Sequence, residues 1–466
     1  MIKLQLSEIA NAVDGTLIGE DKTIDAISTD SRSLAEKNVF LALRGDKFDG
    51  HKFVQQAEDI GCSAVIVDHD CQLNIAQIVV EDTHKALGKI GAYVKEKVSP
   101  KTVGITGSSG KTTVKEMVAA ILARLGNVLA TKGNFNNDIG VPLTLLRLEE
   151  NHDFAVVEMG ANHMGEIAYT SGLVQPDVAV INNIAAAHLE GFGDLCGVAR
   201  AKGEIYEGMK SNGVALYNQD CKLANKWQWR LVDKTVKTFS CYNKADCYSN
   251  DVVLDDNGCA SFNLFCDQVG STFVELSIPG RHNVCNAVAA ASIALEFGAS
   301  LEDIRLGLAE MTPVQGRLNL HRLDENCKLI DDSYNANVES IKAASDLLAS
   351  YPGKRVLILG DMGELGTNAR SYHQEVGEYA AGRDIDELLT LGVLSQSTAD
   401  AFNQRKPSHG KHFSERSVLL KHLAQVLAGE QQEISILVKG SRSSHMELVV
   451  QDIKKWRSGQ MHEEIA

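Results

Sequence analysis

The segment Gly104-Ile-Thr-Gly-Ser-Ser-Gly-Lys-Thr-Thr113 joins an apolar run at 102–106 to a helical stretch at 113–125. In that stretch Val114, Met117, Val118, Ile121, Leu122 and Leu125 share one stripe, and Gly126 supplies a stop. A buried strand that enters a helix through a glycine turn restricts the chain to α/β architectures with a parallel sheet. Glycines let the turn close tightly, so that backbone N–H groups converge on phosphate oxygens. The helix N-terminus adds positive dipole. Lys111 offers a mobile charge to the outer phosphates, and a hydroxyl of Thr112 or Thr113 suits Mg2+. Ile105 stands where the longer phosphate loop has its first glycine, so this is a shortened G-x-x-G-K-T form. Gly107, Ser108, Ser109, Gly110, Lys111, Thr112 and Thr113 are the candidate phosphate-binding set, and ATP is the expected ligand.

The rest of the chain limits the classes of partner. A formal charge of −15 over 466 residues disfavours nucleic acid or an anionic membrane as a general partner. No apolar run reaches the length of a membrane span, and the first residues lack an apolar core of signal-peptide length. A cytoplasmic protein is expected. Ten cysteines are scattered singly with no C-x-x-C pair, which points to reduced thiols rather than a disulfide framework.

Three regions separate by pattern. Residues 1–98 mix helices with short strand-like runs at 39–43, 64–67 and 78–80, and Ser99-Pro100 reads as a linker. Residues 99–312 carry the phosphate loop, further buried strands at 154–157 and 178–181, and a closing helix at 283–297. Within them, 240–278 is either a small β insertion or a sheet edge. Residues 313–466 alternate strands at 328–330, 355–359, 388–391 and 434–438 with helices, which predicts a second parallel α/β sheet. No G-x-G-x-x-G follows any of those strands, so a dinucleotide site lacks support.

Ligands of parallel sheets gather beyond the carboxyl ends of the strands. Glu158, Asn182, Asn183 and His188 stand there, and a carboxylate with a neutral imidazole can hold Mg2+. Lys202 lies on a predicted helix, as an ordinary ion-pair lysine or a functional one. Asn134, Asn136 and Asn137 form an amide-rich loop that either binds a polar substrate or makes turns. Three polar clusters follow strand ends in the last region: 331–337, with Asn335 and Asn337, then 360–366 and 439–442. Together they predict a second binding surface.

These marks together resemble the Mur ligases, the ATP-dependent amide-forming enzymes of bacterial cell-wall precursor synthesis. The resemblance runs from Thr29-Asp-Ser-Arg32 to Lys439-Gly-Ser-Arg442 and rests on the 107–113 loop, Glu158, His188, the run 280–286, Gly316-Arg317 and Asp331-Asp332. Gly133-Asn-Phe-Asn-Asn-Asp-Ile-Gly-Val-Pro142, the 332–337 run and Gly360-Asp-Met-Gly-Glu-Leu-Gly366 look like the branch that adds D-alanyl-D-alanine to a UDP-N-acetylmuramoyl-tripeptide. The Asp-Asn-Pro-Arg motif of the branch that adds a diamino acid is absent.

The resemblance implies a fold of three α/β domains: a small N-terminal one for the UDP substrate, a central phosphate-loop ATPase and a C-terminal Rossmann-like one. It implies cation ligation by Thr113 or Thr112, Glu158 and His188. It places Asn283 near the adenine and brings Arg317 and Asp331 to the nucleotide. It assigns Asp30, Ser31 and Arg32 to the UDP site. In several relatives the lysine matching Lys202 is carbamylated and helps place a second Mg2+. The expected protein is a monomer acting on small molecules. Its C-terminal region is expected to close over the central one about a hinge near 312–317. A folate-type glutamate ligase shares this architecture, but the 133–140 and 332–337 runs speak against it. A nucleotide-driven switch or transport ATPase fits Glu158, His188 and the two further domains less well.

Overall fold

The computed structural model describes residues 1–45 and 48–458. The first large sheet orders its strands Thr16–Ile18, Ala76–Val79, Ala64–Val67, Val39–Leu41 and Ile27–Ser28, parallel except at the first pair. Its alternating side chains split between two cores. Val39, Leu41 and Ile66 face one, while Phe40, Val65 and Val67 face the other. Helix Thr83–Val98 starts under Asp82, whose carboxylate accepts from the N–H groups of His84 and Lys85, and stops at Ser99 in the left-handed region, just before Pro100. Its Leu87, Ile90 and Val94 enter one apolar cluster with Leu145 and Val157, so this helix fastens the first sheet to the next region.

The second sheet has nine strands, in the order Val128–Ala130, Phe154–Glu158, Lys101–Thr106, Val178–Ile181, Val214–Asn218, Thr235–Ser240, Cys247–Leu254, Cys259–Cys266 and Gly270–Pro279. The first seven are parallel neighbours, and the last two pairings are antiparallel. Region 240–278 is therefore an edge of this sheet. Val156 and Val180 point to one face while Val157 and Ala179 point to the other, and both faces are covered. Each large aliphatic side chain buried this way is worth about 1.5–3 kcal/mol. The third sheet orders Asn319–Arg322, Cys327–Asp332, Ile434–Lys439, Lys354–Gly360, Glu387–Leu391 and Gly410–Phe413, parallel except at the first pair.

Several elements differ from the sequence reading. The helix after the phosphate loop is Lys111–Leu122, beginning two residues early because Gly110 (φ +75°) completes the turn by itself. It ends early because the N–H groups of Arg124 and Leu125 reach only three residues back, tightening the last turn. Asp331 and Asp332 lie inside the strand Cys327–Asp332, not beyond it, since the parallel ladder pairs them with Val438 and Lys439. The expectation of thiols throughout also fails: Cys241 and Cys285 form a disulfide. Their Cα atoms stand 5.3 Å apart, because the end of strand Thr235–Ser240 meets the first turn of helix His282–Glu296. A separation of 44 residues left no local spacing to announce the pair.

Candidate active site

The cleft lies at the carboxyl ends of the second sheet, and the third sheet forms its opposite wall. The phosphate loop is built on amides. Ser109 N–H donates to Asn183 Oδ1 at 2.9 Å, and Asn182 and Asn183 return their side-chain N–H groups to Ser109 O at 3.1 and 3.0 Å. Asn182 also donates to Asn286 Oδ1 (2.9 Å), and Asn286 donates to Asn283 Oδ1 (2.8 Å), which ties the loop to helix His282–Glu296. A Cβ on Gly110 would collide with Asn286, so the glycine is required by both space and φ.

Lys111 donates to Gly107 O at 2.8 Å. Burial pushes its amine pKa down. Glu158 opposes that shift, Arg317 adds to it, and Glu364 again opposes it. Arg317 reaches across from the third region to donate to Thr112 Oγ1 at 3.0 Å, and its guanidinium stacks on the Tyr334 ring at 4.4 Å. Thr112 thus already serves the arginine, while Thr113 lines the same cleft.

Glu158 closes strand Phe154–Glu158 and is buried. Its Oε1 accepts from Asn136 Nδ2 at 2.7 Å, but its Oε2 is buried with no partner. A buried carboxylate oxygen left open at a phosphate loop fits a divalent cation. His188 lines the same cleft in the left-handed region (φ +54°). Its Nδ1 lies 2.5 Å from Glu364 Oε2 of the third region, close enough for an ion pair but without the alignment of a hydrogen bond. Lys202 is 1% exposed, on helix Leu195–Gly203, with its amine 5.9 Å from the Phe192 ring centroid. Burial pushes its pKa well down, and the charge of Lys111 lowers it further.

Among the remaining candidates, Asn134, Asn136, Asn137, Asn283, Asn335 and Asn337 line the cleft. Asn137 and Asn337 also serve local structure, accepting from Gly140 N–H and Ser340 N–H. Asn337 Nδ2 further lies 3.5 Å from Ser108 O across the interface. Asp331 is turned away, with Oδ1 accepting from Ser333 N–H and Oγ. Its neighbour Asp332 takes the place in the cleft, paired with Lys439 at 2.6 Å. Strand alternation explains the exchange, since adjacent residues face opposite sides. Asp30, Ser31 and Arg32 sit apart from this cleft, in the first region. Arg32, through its side chain first and then its backbone N–H, holds the Asp30 carboxyl down at about 2. Tyr334, Glu364 and Lys439 were singled out only as members of strand-end runs. Their individual placement depends on how the third region packs against the second.

Three regions match models of one family: its catalytic domain at 23–100, its Mur ligase middle domain at 105–294 and its glutamate ligase domain at 316–442. The UDP-N-acetylmuramoyl-tripeptide–D-alanyl-D-alanine ligase of Escherichia coli is 46% identical over 457 residues, covering 98% of this chain and 99% of that one. That of Haemophilus influenzae is 42% identical, over 97% and 99%. The crystal structure of MurF from Acinetobacter baumannii superposes with a TM-score of 0.92 at 39% identity, over 98% and 99% of the two chains. MurF from Thermotoga maritima, solved with ADP, gives 0.83 at 26% identity, over 93% and 98%.

Proposed function

The chain belongs to the Mur ligase family, and from that premise we propose how the residues of the cleft divide the family's chemistry among themselves. The protein is an ATP-dependent ligase that joins D-alanyl-D-alanine to UDP-N-acetylmuramoyl-tripeptide. The observation that carries this is end-to-end identity of 46% to a ligase of that name, over a fold with a TM-score of 0.92 to a second one. The tripeptide carboxylate attacks the γ-phosphate, ADP leaves, and the dipeptide amine displaces phosphate from the resulting acyl phosphate. The product is the pentapeptide precursor of peptidoglycan.

Lys111 and the loop amides of 107–113 hold the phosphates, with Asn283 beside the base. Arg317 sets its guanidinium beside Thr112, where charge builds on the transferred phosphoryl group. Glu158, through its open Oε2, together with His188 and Thr113 or Thr112, would hold Mg2+, which when bound supplies positive charge against the phosphate oxygens. Asp331 is left out of this set, since its carboxylate serves Ser333. Asp30, Ser31 and Arg32 take the UDP moiety. Asn134, Asn136, Asn137, Asn335 and Asn337 face the peptide substrates. Burial disfavours the charged form of the Lys202 amine, and its free base adds to CO2 to give a carbamate and a proton, which sets an anion where the charge of Lys111 is felt.

Water hydrolyses an acyl phosphate, so the site must close. The contacts of Arg317 with Thr112, Asn337 with Ser108 and Glu364 with His188 bridge the second and third regions and support a closed arrangement, hinged near 312–317. We divide the chain at 98/99 and 312/313 and take it to act as a monomer in the cytoplasm, where ATP is available. No helix of the described residues is long and apolar enough to cross a membrane.

Phosphate release, measured with ATP, UDP-tripeptide and D-alanyl-D-alanine each omitted in turn, should require all three. Rapid release without the dipeptide would sink the ligase reading. Parallel assays with lysine or diaminopimelate as the third residue identify the tripeptide used.

A further inference from the structure

Five carboxylates line the cleft: Glu158, Glu166, Asp332, Glu339 and Glu364. Four have a partner within their own region, although Glu158 keeps its Oε2 open. Glu158 is fixed by Asn136, Glu166 accepts from Asn162 N–H beside His163, Asp332 pairs with Lys439, and Glu339 pairs with Lys342. Glu364 differs. Among the described residues its side chain pairs with His188, across the interface between the second and third sheets and without hydrogen-bond alignment, and it also feels the charge of Lys111. His188 is itself a candidate cation ligand, so the pairing would compete with a bound cation.

The loop that carries Glu364 is stiff. Met362 and Leu365 on either side are buried, and Met362 N–H donates to His373 Nε2 at 2.9 Å. Glu364 O accepts from Glu190 N–H of the second region at 3.3 Å. Asp361 accepts from Val393 and Ser395 N–H groups, which anchors the start of the loop. Glu364 itself adopts the left-handed region, at φ +61°.

The second substrate enters as an amine that is largely protonated near neutral pH. Lys111 on the phosphate loop and Arg317 beside Thr112 place positive charge at the phosphate end of the cleft, which suits phosphates and repels an ammonium. We propose that Glu364 is the binding residue for the ammonium of the incoming dipeptide, presented by the third region to the central one. The proposal rests on the ligase reading above. It makes Glu364 a residue that selects and positions the nucleophile, with no part in activating the carboxylate.

The test compares two nucleophiles at about pH 7. D-alanyl-D-alanine arrives as a cation, whereas hydroxylamine is mainly neutral and traps the acyl phosphate as a hydroxamate. Glu364→Gln should raise KM for the dipeptide at least tenfold, with KM for ATP within about twofold, and lower the ratio of dipeptide to hydroxylamine turnover about tenfold. Glu364→Asp, which keeps the charge, should recover part of that ratio. Equal loss with both nucleophiles would overturn the proposal and place Glu364 in the activation machinery. An unchanged KM for the dipeptide would overturn it as well. If the unaltered protein yields no hydroxamate from ATP and UDP-tripeptide, the acyl-phosphate reading fails, and this proposal with it.

Discussion

Replacing Lys111 with alanine lowers kcat by about 10³-fold, the scale on which a preorganised charge or donor acts in a water-excluded site. The reaction brings a carboxylate against a triphosphate, and the repulsion grows as the phosphoryl group moves. Lys111 is the loop's only cation, it is half-buried, and the charges of Glu158, Arg317 and Glu364 act on it. Its amine spends one hydrogen bond on Gly107 O, which a phosphate oxygen can replace. Removing it takes away charge at the phosphates and leaves the fold standing, because Asn182, Asn183 and Ser108 hold the loop independently. Steady-state kinetics with a melting curve checks both halves. A kcat within tenfold of the original would mean that the phosphates lie elsewhere.

Lys202→Met should move activity and stability in opposite directions. Burial alone drives the Lys202 pKa down, Lys111 drives it further, and no carboxylate opposes them. Between the lowered pKa in the fold and the ordinary value near 10.4 in the open chain, the unfolded state binds the extra proton, so stability rises with pH through that window. In CO2-free buffer, where Lys202 is a free amine, methionine fills the same space beside Phe192 with no charge to desolvate, and the fold should gain about 1–2 kcal/mol near neutral pH. The pH slope that Lys202 contributes should vanish with it. Turnover should fall about 10²-fold if the amine, as its carbamate, balances cation charge at the phosphates. Denaturant melts from about pH 7 to pH 10, run beside kcat, check this. A variant that loses stability at neutral pH, or keeps full activity, would contradict the role given to Lys202.

What could be read from the sequence was local. A strand, a glycine turn and a helix follow one another within 101–122, so the phosphate loop and the parallel sheet were legible from spacing alone. The place of Glu158 and His188 in the cleft was legible because one ends a buried apolar strand and the other follows one. What escaped depends on residues brought together from afar. Cys241 and Cys285 pair across 44 residues. Glu364 meets His188 only because the third sheet faces the second. The exchange of Asp331 for Asp332 turned on one residue of strand register, where a single step reverses the side chain's direction. The strands of 247–279 alternate as a half-buried strand does, but alternation alone does not say which neighbour a strand pairs with, so it could not choose between an insertion and a sheet edge. The parallel pairing of Phe239 with Cys247 and Ser240 with Tyr248 decides it.

The central claim is that this chain activates a peptide carboxylate with ATP and then joins it to an amine. A tripeptide substrate whose terminal carboxylate carries ¹⁸O tests this most directly, with phosphate and peptide product analysed by mass spectrometry after a single turnover with D-alanyl-D-alanine. The account predicts one labelled oxygen in the released phosphate for every pentapeptide formed, and one ADP alongside. Unlabelled phosphate, or labelled phosphate with no pentapeptide, would contradict it.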